Sequence, residues 1–224
     1  MLISREPLVW TGYTVFIGIV FAIGRISLAL GVLVSVTSLF VGVGVAKYID
    51  LKSSPDDAVG FYWAINKSLP LALLAAISIL LCWLVFRVAA NIYASEWDKI
   101  GQFFFYWEFT SDNLEDKSLR QLAGWIYSSA LAALIFVLLM LTTFASWFSY
   151  PLMLFKGHTW SQAKSLGNKL AVKHQGAMYK LLAFVFAVVF IGGGLMPLLT
   201  PVLYMLVSTL MYVSYKAVFE TAHI

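Results

Sequence analysis

Charge is what this 224-residue sequence has least of. Asp, Glu, Lys and Arg make up 12% of it, against 61% hydrophobic residues. A soluble domain carries about 25% charged residues. At half that density too few polar groups remain to coat a surface facing water. A soluble enzyme and a disordered chain are both excluded. Cysteine is nearly absent as well. Cys82 stands alone, so no internal disulfide forms. Within Leu80-Leu81-Cys82-Trp83 its thiol acts as a small apolar group. Histidine is limited to His158, His174 and His223, and HExxH, CxxC, GxSxG and P-loop patterns do not occur. No catalytic centre, metal or cofactor is expected. The net charge of +4 does not point to nucleic acid. In so apolar a chain it is better explained by lysine-rich loops on the cytoplasmic side of a membrane.

What is abundant is long apolar sequence. The first run covers roughly 8–46 and is interrupted only by Arg25. As one helix it would be roughly 58 Å long, against a hydrocarbon core of about 30 Å. It therefore predicts two spans, 8–24 and 29–46, turning at Gly24-Arg25-Ile26-Ser27. These follow Arg5 as an uncleaved first span rather than a removed leader. Single spans are predicted at 68–86, with Pro70 in the first turn, and at 122–147. The latter leaves the membrane through the aromatic segment Trp147-Phe148-Ser149-Tyr150-Pro151. The last run, from 181 to about 215, contains Gly192, Gly193, Gly194, Pro197 and Pro201. These residues punctuate chains and predict a hairpin turn between spans at 180–196 and 200–216. The fold class is thus all-α: one transmembrane domain, a polytopic bundle of about six helices with two tight hairpins. The segments Val36-Thr37-Ser38-Leu39 and Val207-Ser208-Thr209-Leu210, in the second arm of each hairpin, are alike and hint at an internal duplication.

The cations sort by side. Arg5, Lys47, Lys52, Lys67, Lys156, Lys164, Lys169, Lys173, Lys180 and Lys216 fall on the side of both termini. Arg25, Arg87, Lys99, Lys117 and Arg120 fall on the other. Ten against five puts both termini of a multi-pass membrane protein in the cytoplasm. The connections carry capping signatures: Ser54-Pro55-Asp56-Asp57, Ser95-Glu96-Trp97-Asp98 and Thr159-Trp160-Ser161-Gln162. Short helices follow at 55–66, 96–109 and 160–172.

Three features invite a functional interpretation beside a structural one. In helix 160–172, Trp160, Ala163, Leu166 and Leu170 form one apolar stripe, flanked by Lys164 on one side and by Lys169 and Lys173 on the other. This suits a helix half-sunk in an anionic surface, a docking site, or simply a topology determinant. In the outer loop, Phe103, Phe104 and Trp107 belong to a dense aromatic cluster. It is either an interfacial belt or a docking surface for another membrane subunit. Gly42 with Ala46, and Ala72 with Ala76, are small residues four apart. They let helices approach closely, within this bundle or across a homo-oligomer seam. No charge falls near a predicted mid-plane, which argues against proton-coupled transport.

Four segments resemble a family of uncharacterised bacterial inner-membrane proteins with YciC-like relatives. They are Arg5-Glu6-Pro7-Leu8-Val9-Trp10, the exit segment from Ser146 to Phe155, Ser161-Gln162-Ala163-Lys164-Ser165-Leu166, and the ending from Met211 to Phe219. Gln162 replaces that family's proline, and Lys216 its arginine. The resemblance implies six spans in a bacterial inner membrane and lends no catalytic residue. The leading functional expectation is a non-enzymatic interaction, assembly or regulatory subunit whose partners are the lipid bilayer and other membrane subunits. The alternatives are a small transporter or channel for an uncharged or lipidic molecule, and a membrane immunity or exclusion factor.

Overall fold

The computed structural model describes residues 2–24, 28–52, 61–94, 146–195 and 197–219, with scattered positions between 118 and 138. Every regular element among them is helical. A four-residue turn, α1 (Leu2–Arg5), leads into α2 (Pro7–Gly24), which has proline at its first position. Then come α3 (Leu28–Lys52), α4 (Phe61–Ala94), α5 (Ser149–Lys156), α6 (Trp160–Lys173) and α7 (Gln175–Leu195). A 3₁₀ turn at Pro197–Leu199 precedes α8 (Thr200–Phe219).

Two of these helices, over Leu30–Lys52 and Thr200–Phe219, are long and apolar enough to cross a membrane. Shorter apolar stretches lie at Pro7–Ile23, Ser68–Leu81 and Gln175–Ala187. The turn around Arg25, the connection 53–60, the outer helix 96–109 and most of the span at 122–147 lie outside the described residues.

Helix α3 is the centre. It is apolar all round, and a helix of that kind is buried all round. Along its middle, Val34, Ser35 and Val36, and then every residue from Ser38 to Ala46, are buried. Helices α2, α4 and α8 pack on it. Helix α2 turns Trp10, Tyr13, Ile17 and Phe21 inward at spacings of three and four. Helix α4 offers Ser68, Ala72, Ala76 and Ile79 in the same way. The small residues Gly42, Ala46, Ala72 and Ala76 are thus used inside the chain, not on a seam between copies.

The outward faces are equally apolar. Helix α2 exposes Leu8, Val15, Phe16, Ile19 and Ile23, and α4 exposes Leu73, Leu74, Ile77, Leu81 and Val85. Helix α7 exposes Phe184, Phe186 and Phe190.

Three expectations need correction. Pro70 is not in a first turn. Helix α4 starts nine residues earlier, at Phe61, so residues 61–66 belong to it and Pro70 deprives the Asn66 carbonyl of a helical partner. The glycines 192–194 do not form the hairpin turn. They continue α7 to Leu195, and the reversal comes at Pro197–Leu199, with buried Pro201 in the first turn of α8. The aromatic exit does not turn its rings outward. Trp147, Phe148 and Tyr150 are all buried, and Pro151 lies in the first turn of α5.

Candidate functional site

Polar side chains meet where α2, α3 and α8 converge. The Tyr13 hydroxyl donates to the Ser38 carbonyl at 2.6 Å, and Ser208 Oγ donates to the Leu39 carbonyl at 3.0 Å. The two hydroxyls lie 3.4 Å apart. One turn along α8, the Tyr204 hydroxyl donates to Ser35 Oγ at 2.8 Å. All of these residues are buried. They come together because α3 places a small residue, Gly42, between Tyr13 and Ser208. A Cβ built there would overlap both hydroxyl oxygens and stand 2.7 Å from Ser208 Cβ. The seam is therefore closed, each hydroxyl satisfying a carbonyl or another hydroxyl.

A charged node lies at the end of α3. Asp50 accepts from the Tyr212 hydroxyl at 2.8 Å and from Lys216 Nζ at 2.5 Å. The Arg5 guanidinium is 3.6 Å away. Beside the node, Lys52 pairs with Glu6 at 2.6 Å and Lys47 lies over the Phe155 ring at 4.2 Å. The start of α2 and the end of α8 therefore meet at the same end of the bundle.

Helices α5 and α6 are fixed at that end. Tyr150 stacks on Phe40 with ring centroids 3.5 Å apart, and burial pushes its phenol above the ordinary range, keeping it a neutral donor. Trp147 Nε1 donates to Ser214 Oγ at 2.8 Å. Phe155 packs edge-on against Tyr212. Gly157, left-handed at φ 67°, ends α5. Helix α6 then starts with the expected cap, Gln162 Oε1 accepting the Thr159 N–H at 3.2 Å.

Of the apolar stripe, Ala163 alone is buried. Helix α6 docks through Ala163 and Gly167, while Trp160 stays 44% exposed and Leu166 37%. A Cβ at Gly167 would overlap Ser146 Oγ. Gly167→Val is therefore expected to lift α6 off the Ser146–Ser149 turn. The result should be new protease cleavage between α5 and α6, with little change in helix content by circular dichroism.

Lys164, Lys169 and Lys173 are exposed, as are Lys156 and Lys180. None has an acidic partner among the described residues, and no Asp or Glu occurs in the sequence from 117 to 219. Phe103, Phe104 and Trp107 lie outside the described residues. Among the described residues no cluster of His, Cys, Asp and Glu suits a metal ion.

Sequence reasoning passed over Asp50 and the tyrosines. The available signal was Tyr212 and Lys216, four apart on one helix face. It also singled out Ser38 and Ser208 through the likeness of their segments without anticipating that those segments touch. No protein-family model, curated protein or solved structure matches the chain.

Proposed function

We propose that this chain is a multi-pass inner-membrane protein with both termini cytoplasmic, acting as a non-catalytic interaction or assembly subunit of a membrane complex. The observation that carries this reading is the distribution of polarity. The outward faces of α2, α4 and α7 are apolar, while hydroxyls such as Ser35, Ser38, Ser208 and Thr209 are buried. Water would penalise such a surface, whereas lipid tails accept it and reward polar pairing inside. The meeting of Arg5, Asp50 and Lys216 at one end agrees with termini on one side. The lysine count assigns that side to the cytoplasm. This is also the topology of the inner-membrane family that the segments around Arg5 and Lys216 resemble.

Among the described residues the interior is apolar, and the hydroxyls of Tyr13, Ser208, Tyr204 and Thr209 within it are bonded to carbonyls or to other hydroxyls. The glycines 192–194 are helical and do not break α7. The chemistry left for function is on the surface, and the outer aromatic cluster is the proposed contact with a partner subunit. Combined Phe103→Ala, Phe104→Ala and Trp107→Ala substitution should release a protein that co-purifies with the wild type in mild detergent. Identical co-purification by the variant, or no partner with the wild type, would remove this reading.

A further inference from the structure

Helix α6 presents a surface with a definite ligand chemistry. Ala163 and Gly167 hold one side of it against the Ser146–Ser149 turn. Its other sides carry Lys164, Lys169 and Lys173, all exposed. Lys156 precedes the helix and Lys180 follows it, with no carboxylate anywhere between them.

The donors converge further. His158, Ser161, Gln162, Ser165, Leu166 and Lys169 line an open groove of about 520 Å³. Ser161, Ser165 and Lys169 are spaced by four and so stack on one helix face. Two hydroxyls, an amide, an imidazole and an ammonium, with no acid among them, are a donor set for an oxyanion.

Location decides which oxyanion. One residue, His174, separates α6 from α7. From Leu181 to Leu195, α7 contains no charged residue. Its exposed Phe184, Phe186 and Phe190 face the same surroundings as the apolar faces of α2 and α4. The lysines therefore stop where the lipid-facing surface begins, and exposed Trp160 and Leu166 sit among them. An aromatic and an aliphatic side chain among lysines, at the end of an apolar helix, match the headgroup layer.

We infer that α6 is a binding surface for anionic phospholipid headgroups. Lys164, Lys169 and Lys173 supply the attraction, and the Ser161–Ser165–Lys169 face receives the phosphodiester. This inference rests on the membrane placement proposed above and is independent of the aromatic partner contact.

The test uses the full chain purified in a neutral detergent. Its thermal midpoint is followed while short-chain phosphatidylglycerol, short-chain phosphatidylcholine or sodium phosphate is added. Phosphatidylglycerol is expected to raise the midpoint, and the other two are not. In the variant combining Lys164→Gln, Lys169→Gln and Lys173→Gln, the half-saturating concentration should rise about 100-fold, at roughly fivefold per lysine. The corresponding triple arginine variant should respond like the wild type. Added salt should weaken the wild-type response, which serves as the test if the glutamine variant fails to fold.

An equal response of the wild type and the folded glutamine variant overturns the inference, as does a salt-insensitive response or an equal effect of phosphatidylcholine. A full effect of phosphate alone also overturns it, and reassigns the face to a soluble anion. Failure here with the partner still released by the aromatic substitutions would leave the proposed function standing.

Discussion

Gly42→Ala is expected to destabilise the protein strongly. The new Cβ would overlap the hydroxyl oxygens of Tyr13 and Ser208. Neither can move freely. Tyr13 is held to the Ser38 carbonyl at 2.6 Å and Ser208 to the Leu39 carbonyl at 3.0 Å. Overpacking a core costs about 1–3 kcal/mol. Leaving a buried hydroxyl or carbonyl unpaired costs about 1–3 kcal/mol more. A loss of about 2–6 kcal/mol follows, read as a fall in the thermal midpoint in detergent. The partner substitution Ser208→Gly removes both the Oγ and the Cβ that the new methyl meets. The double variant should therefore lose less than the two single losses added together. Strictly additive losses would show that Gly42 does not set the approach of α2 and α8.

The second large effect is expected at Asp50. Its side chain is 13% exposed, whereas those of Arg5 and Lys216 are 50% and 41% exposed. The node lies between an exposed pair, worth about 0–1 kcal/mol, and a fully buried one, whose breakage costs about 3–5 kcal/mol. Asp50→Ala should cost about 2–3 kcal/mol on that scale, because it strips the acceptor from Tyr212 and Lys216 together. It should also free α1, giving faster amide exchange over residues 2–10. Lys52→Gln breaks a neighbouring ion pair of similar length, 2.6 Å, but with Lys52 52% exposed. It should change the midpoint little. Equal effects of the two substitutions would mean that burial does not distinguish the pairs.

Much of the helical layout was legible from residue types alone. Apolar length marked α2, α3, α7 and α8. The Thr159–Gln162 pair marked the start of α6 through local chemistry. What could not be read was which polar groups are partners. Tyr13 and Ser208 are 195 positions apart, and Asp50 and Lys216 are 166 apart. Periodicity along one helix says which face a residue occupies, but not what another helix brings to it.

The same limit applies at α6. Periodicity set Trp160, Ala163, Leu166 and Leu170 on one stripe without saying which of them touches the bundle. Close approach to Ser146 instead selects the smallest residues, Ala163 and Gly167. The glycines 192–194 misled in the opposite way. Glycine is poor in a helix but does not forbid one, and it was proline, at 197, that marked the reversal. The burial of the aromatic exit was not legible because the motif has the composition of a membrane interface. Its partners, Phe40, Ser214 and Phe219, come from α3 and α8.

The closed seam between α3 and α8 has a consequence in time. Ser35, Ser38 and Asp50 belong to the first quarter of the chain, and Tyr204, Ser208, Tyr212 and Lys216 to its last tenth. During synthesis at about 5–20 residues per second, α3 waits roughly 10–30 s before α8 exists. Throughout that interval Asp50 lacks its Tyr212 and Lys216 donors and depends on Arg5, water or lipid headgroups. Folding of this bundle is completed last at its centre, by the final helix to arrive.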